Sequence, residues 1–211
     1  MEGSFNERFA RQVVVKSMRI VEGESVFIYT IREALDFAEA IALECDIVGA
    51  KPLVVTYSDE YMRKSLTKTS ERFVESTHKH WLRAIEATDA YIGIGRPALA
   101  EVPVPRIGAW RRGRKPIGDT MDKKGIRWVG IGYPTPKRAR ESGVTLTKFK
   151  NAMLSALDID YEELVKKGQK VVEAVSGSTN VHITSDRGTD IEFQVKGRKW
   201  IIDDAVISIE D

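Results

Sequence analysis

The chain has 211 residues, 42% of them hydrophobic, enough for one large domain or a domain plus a fragment around a real core. Its 33 Lys and Arg nearly cancel 31 Asp and Glu, so whole-chain charge gives no argument for nucleic acid or a membrane surface. The single Cys45 forbids an internal disulfide and fits a reducing compartment, the polar start MEGSFNERF is no signal peptide, and no stretch approaches the roughly 20 apolar residues of a membrane span; a soluble cytoplasmic protein is expected.

In chain order, Phe5, Phe9 and Val13 recur at helical spacing and predict an N-terminal helix that packs on a sheet. Four apolar runs follow: VFIYT at 26–30, LVVTY at 53–57, AYIGIG at 90–95 and WVGIGY at 128–133. They are rich in Val, Ile and Tyr and lack polar alternation, as strands buried on both faces do. Between the first two, Ala34, Ala38, Ile41, Ala42, Cys45 and Val48 make one apolar face of a helix over 32–48. Thr30 and Glu33 have capping-box spacing at its start, and Gly49 stands where a left-handed cap belongs. A second helical stretch is predicted near 70–87, and the stretch between the third and fourth strands is less readable.

Three helices are predicted after the fourth strand, near 136–142, 147–157 and 160–175, with Asp160 and Glu163 again at capping-box spacing. SGS at 176–178 then breaks the pattern, and the period becomes 2. Ile191, Phe193 and Val195 alternate with Asp190, Glu192 and Gln194, with Gly188 and Gly197 bounding the run. The fold class expected is α/β: an open, mostly parallel, three-layer sheet over 1–178, and a C-terminal antiparallel β meander over 179–211. So short a meander is marginal alone and needs something to pack on.

Candidate chemistry is sparse. His78 and His80, two apart on a predicted helix, point about 200° apart and do not share a metal; His182 lies on a strand with no second histidine near it. No HExxH, CxxC or GxSxG occurs, and Cys45 sits on an apolar helix face as inert packing. No catalytic and no metal-ligating residue is assigned. GIGRPA at 93–98 carries G-x-G-x-x-A, but it follows the third strand rather than the first, and the expected acid about 20 residues on is missing. Strand-end glycines that admit helices are the simpler account.

Between Arg106 and Arg140 stand eleven Lys or Arg against Asp119 and Asp122, densest in WRRGRKP at 110–116. Read as a loop, it is a solvated face, an interface strip or an anion grip. Without a helix-turn-helix, an RNA-binding aromatic motif or a zinc finger, nucleic-acid binding has no support.

GTDIEFQVKGRKW at 188–200, RWVGIGYPT at 127–135, and the run from VEGESVFIYT into EALDFAEAIALECDIVGAKPLVV together resemble metallo-aminopeptidases of the aminopeptidase T and aminopeptidase S type. The resemblance spans nearly the whole chain in order. It implies an N-terminal α/β domain followed by a β-rich catalytic domain whose two divalent metals are held by glutamates, histidines and an aspartate after a GEVF-like element. No such element occurs here, so the segment from 179 reads as the start of a catalytic domain whose remainder lies elsewhere. No cofactor is expected in this chain itself. Gly188, Thr189, Asp190, Gly197 and Arg198 transfer only as matched positions with a structural role. The resemblance also implies a homodimer or a partner chain carrying the other half. The rival reading is a non-catalytic binding or assembly module. It would use the strand C-terminal ends at Gly95, Arg96, Gly132 and Thr135, with the basic loop supplying charge.

Overall fold

A computed structural model describes residues 4–95, 99, 101–157, 160–203 and 206. The described chain packs as two units that divide between Leu157 and Asp160.

The first unit is built on four parallel strands, β1 (Ser25–Ile31), β2 (Lys51–Tyr57), β3 (Ala90–Ile94) and β4 (Arg127–Ile131), in the order β2-β1-β3-β4. The second and third apolar runs both lie against the first, Ile28 beside Val54 on one side and Ile92 on the other. Strand alternation sends side chains to two cores, as a sheet covered on both faces requires. Val26, Ile28, Ile92 and Ile94 pack under α1 (Phe5–Arg11) and α2 (Leu35–Ile47), joined by Met153 and Leu154 of α8 (Leu146–Leu157). Phe27, Tyr29, Val55 and Tyr91 pack on the opposite face against Trp81 and Ile85 of α5 (Lys79–Glu86) and Ile117 of α6 (Val104–Lys124). α3 (Asp59–Lys68) and α4 (Glu71–Glu75) complete the second helical layer through a smaller cluster of Leu66, Val74, Val102 and Ala109. α7 (Pro136–Glu141) follows β4.

The apolar face expected for 32–48 is present, with Ala34, Ala38, Ile41 and Cys45 fully buried and Gly49 at φ 85°. Its start differs. Residues 32–34 form a short 3-10 turn without a side-chain cap, and Thr30 stays inside β1 with its hydroxyl donating to the Ile31 carbonyl at 3.0 Å. The capping-box spacing there is accidental, because burial of Thr30 in the sheet removes its side chain from the helix end. The stretch 70–87 is two helices, broken at 76–78 after Ser70 caps the first. The N-terminal helix continues into a π-helical turn, Gln12–Ser17, which keeps Val13 and Val14 in the core.

The second unit holds α9 (Tyr161–Val175) and an antiparallel hairpin of β5 (Asn180–Thr184) and β6 (Asp190–Gln194). Asp160 caps α9, accepting from the Glu162 and Glu163 amides. Val181 faces Phe193 and Ile183 faces Ile191. These partners lie on one side of the hairpin, where Ile183, Ile191 and Phe193 are 47%, 53% and 44% exposed. Trp200–Asp203 are not strand, and the remainder of the expected third strand, Val206 aside, lies outside the described residues.

Candidate functional site

The strand order creates one distinctive place. The connection from β1 leads to β2 on one side, and the connection from β2 returns past β1 to β3 on the other. Where such a sheet reverses direction, the C-terminal strand ends part and leave a crevice. A cleft of about 750 Å³ lies here, lined by Ile31 at the end of β1, Gly95 after β3 and the Gly130–Tyr133 run at the end of β4. Gly95 has φ +73°, and a Cβ there would come within 2.6 Å of Ile31 Cδ1. Glycine is therefore required by both backbone and space. Thr135 caps α7 by accepting from the Arg138 amide, and the cations Lys137, Arg138 and Arg140 line the cleft together with the acids Glu33, Asp59 and Glu141. Arg138 is held by donating to the Tyr133 carbonyl at 2.9 Å. Three of the four sequence-derived cleft positions, Gly95, Gly132 and Thr135, thus line one cleft; Arg96 lies outside the described residues.

The basic segment is not a loop. Its densest part is the middle of α6, and most of its charges are engaged. Arg106 donates to the Leu66 and Thr69 carbonyls at the C-terminal end of α3. Arg112 pairs with Glu75 at 2.6 Å and Lys115 with Asp119. Lys124 donates to the Glu86 and Thr88 carbonyls beyond α5, and Arg127 pairs with Glu24 at 2.6 Å. Cations at helix C-termini and in ion pairs are structural uses of charge. The expected loop is corrected accordingly: the segment is largely helical, and those of its cations that line the cleft, Lys137, Arg138 and Arg140, belong to α7 rather than α6.

The family-motif positions fall in the second unit. Gly188 (φ 88°) and Thr189 turn the hairpin, the Thr189 amide donating to Ser185 Oγ. Asp190 opens β6, its carboxylate 2.7 Å from His182 Nε2 across the hairpin, both groups exposed. Gly197 (φ 73°) and Arg198 form the turn after β6. His78 is the N-cap of α5 and His80 lies within it, both exposed. Among the described residues, no group of three or more His, Cys, Asp or Glu is placed to hold a metal ion. The two-metal centre that the aminopeptidase resemblance implies does not fit the described residues.

Sequence reading missed a second cavity, on the face of the sheet covered by α3, α5 and α6. Tyr29, Tyr57, Trp81, Trp110 and Arg114 line it. They come from four elements, β1, β2, α5 and α6, with no shared motif. The trace in the sequence is Phe27, Tyr29 and Tyr57, aromatics at alternate positions of the first two strands that share one sheet face.

A family model described as thermophilic metalloprotease (M29) matches residues 5–208. The chain belongs to that family. Among solved structures, it is similar to wild-type AmpT from Thermus thermophilus, with TM-score 0.69 and 19% identity over 90% of this chain and 53% of that one. It is also similar to a 2,5-dihydroxypyridine dioxygenase from Pseudomonas putida, with TM-score 0.53 and 13% identity over 92% and 48%. At these identities the likeness shows the family fold alone, and the chain spans about half the length of either solved relative. No curated protein matches it in sequence.

Proposed function

We propose that this chain is the N-terminal α/β portion of a metallo-aminopeptidase of the aminopeptidase T type, acting in a reducing, cytoplasmic setting. The observation that carries this is the metalloprotease family model running through both units, from residue 5 to residue 208. The fold alone does not choose the reaction, because a dioxygenase shares it. In a full-length enzyme of that type, two divalent metals would supply an activated water and a Lewis acid for the peptide carbonyl. The ligands for those metals belong to the half of the fold this chain does not span. By itself the chain neither binds zinc or cobalt tightly nor cleaves amino-acyl amides. The test is calorimetric titration with each metal and an assay on a leucyl chromogenic substrate, alone and with the product of any adjacent reading frame that carries Glu and His ligands. Turnover only with the second chain supports a split enzyme. Stoichiometric metal binding with turnover by this chain alone overturns the reading.

The cleft at the strand reversal favours one second reading, a ligand-binding module. Here Lys137 and Arg140 would meet an anion over Gly95 and Gly132. Saturable binding of inorganic phosphate, weakened in Arg140→Gln, supports it; phosphate binding that is absent or unchanged in the variant removes it.

A further inference from the structure

We propose that the aromatic cavity between the sheet and α3, α5 and α6 is a binding site for a neutral molecule carrying one planar ring. This goes beyond the aminopeptidase reading and uses only the first unit.

The charge of the lining comes first. Among the described residues that form it, none is acidic, and Arg114 is the one permanent cation. That cation is already engaged. Its guanidinium carbon lies 4.8 Å from the Trp81 ring centroid and 5.3 Å from that of Trp110, and it donates to the Tyr91 hydroxyl. Two indole faces and a phenol make the guanidinium part of the wall. A base would find no carboxylate here and an acid no uncommitted cation, so either would lose its hydration without a matching partner.

The walls then decide the shape of the guest. Tyr57 of β2 stacks on Tyr61 of α3 with ring centroids 5.3 Å apart, and Phe73 of α4 meets the His78 ring edge-on at 6.1 Å. All of these rings belong to the lining. Tyr61 and Phe73 are also part of the protein surface, 52% and 45% exposed, so the cavity opens beside them. Large exposed side chains scattered singly are ordinary, but rings from different elements that converge on one concave, apolar space are the makings of a ligand site. A further ring satisfies them best, through offset-stacked and edge-to-face contacts at centroid separations of roughly 4.5–7 Å. The interior space is about 60 Å³. That exceeds the ~10–15 Å³ one water needs, yet an apolar lining gives water few partners, and such a space favours an apolar guest. Its size limits that guest to a single ring, with any polar substituent left at the mouth.

The test titrates the full chain with benzyl alcohol, its saturated analogue cyclohexylmethanol, and the charged pair benzoate and benzylamine, read by calorimetry and tryptophan fluorescence. Benzyl alcohol is expected to saturate in the millimolar range, as so small a ligand should. Cyclohexylmethanol should bind at least about threefold more weakly for want of the ring contacts, and each charged analogue at least about tenfold more weakly. Tyr61→Ala and Phe73→Ala, which remove exposed rings, should keep the fold by circular dichroism and each weaken benzyl alcohol about three- to tenfold. If either variant unfolds, the other and the ligand series decide. Phe193→Ser, on the exposed apolar face of the hairpin in the second unit, should bind as the parent does. Absence of saturation, an affinity for the saturated or a charged analogue equal to that for benzyl alcohol, full affinity in a folded Tyr61 or Phe73 variant, or a loss in Phe193→Ser each overturns the site. None of these readouts depends on peptidase activity.

Discussion

Cys45 shows how position decides chemistry at the residue scale. It lies on the buried face of α2. Burial, helped by the nearby Asp46, Glu24 and Glu44, pushes its thiol from 9.0 up to about 12. It is therefore expected to resist a thiol reagent until the protein unfolds. The same shift predicts a pH dependence. Below 9.0 both states keep the proton. Between 9.0 and about 12 the unfolded chain has lost it and the folded chain has not. Stability then falls with rising pH, by up to about 1.4 kcal/mol per unit from this group. Tyr29, Tyr91 and Tyr133, also raised by burial, steepen the fall at higher pH. Urea midpoints measured from pH 7 upward should be flat and then drop, with Cys45→Ala showing a shallower onset. Equal profiles for the two proteins would refute the assignment.

At the scale of elements, α6 is the helix that sequence reading did not find. Gly108, Gly113, Pro116 and Gly118 make it a poor helix by propensity. Its buried face was nevertheless legible in retrospect, since Ala109, Gly113 and Ile117 stand at i, i+4 and i+8. Tertiary contact explains the glycine. A Cβ on Gly113 would lie 2.8 Å from the backbone oxygens of Val74 and Glu75, where α4 crosses. Thr77 Oγ1 donates to the Gly113 carbonyl at 2.9 Å, tying the crossing together. Replacing the small residue forces α4 outward, and Gly113→Ala is expected to cost about 1–3 kcal/mol, read by urea denaturation. An unchanged midpoint would show that the crossing is loose.

At the scale of the molecule, the hairpin raises the question of what covers it. Val181, Ile183, Ile191 and Phe193 share one face, and three of the four are substantially exposed. Two strands with a bare apolar face are marginal in water. Two covers are proposed for this face: a second copy of the chain, or the other half of the catalytic fold that the proposed function implies. Light scattering of the isolated chain is expected to show a dimer, with Phe193→Ser shifting it toward monomer while the far-ultraviolet circular dichroism is kept. A monomer at high concentration would remove the second copy as the cover and leave the partner chain. Among the described residues no helix is long and apolar enough to cross a membrane.

The strands and their parallel sense were readable from the sequence, because burial on both faces writes itself into each strand as an uninterrupted apolar run. The same holds for the buried stripe of α2, which one helical period displays, and for the turns at Gly188 and Gly197, whose positive φ favours glycine. Other features exist only after folding. The order β2-β1-β3-β4 decides that Ile31, Gly95 and Gly132 share a cleft. The crossing of α4 and α6 overrides poor helix propensity with close packing. The basic segment turns from a stripe of charge into a set of helix caps and ion pairs once its carbonyl and carboxylate partners arrive from α3, α4 and α5. Arg114 acquires its two indoles from α5 and from its own helix one turn earlier. Short-range pattern records what each segment must bury; which groups meet across the fold is set by neighbours far apart in the chain, and no local period encodes them.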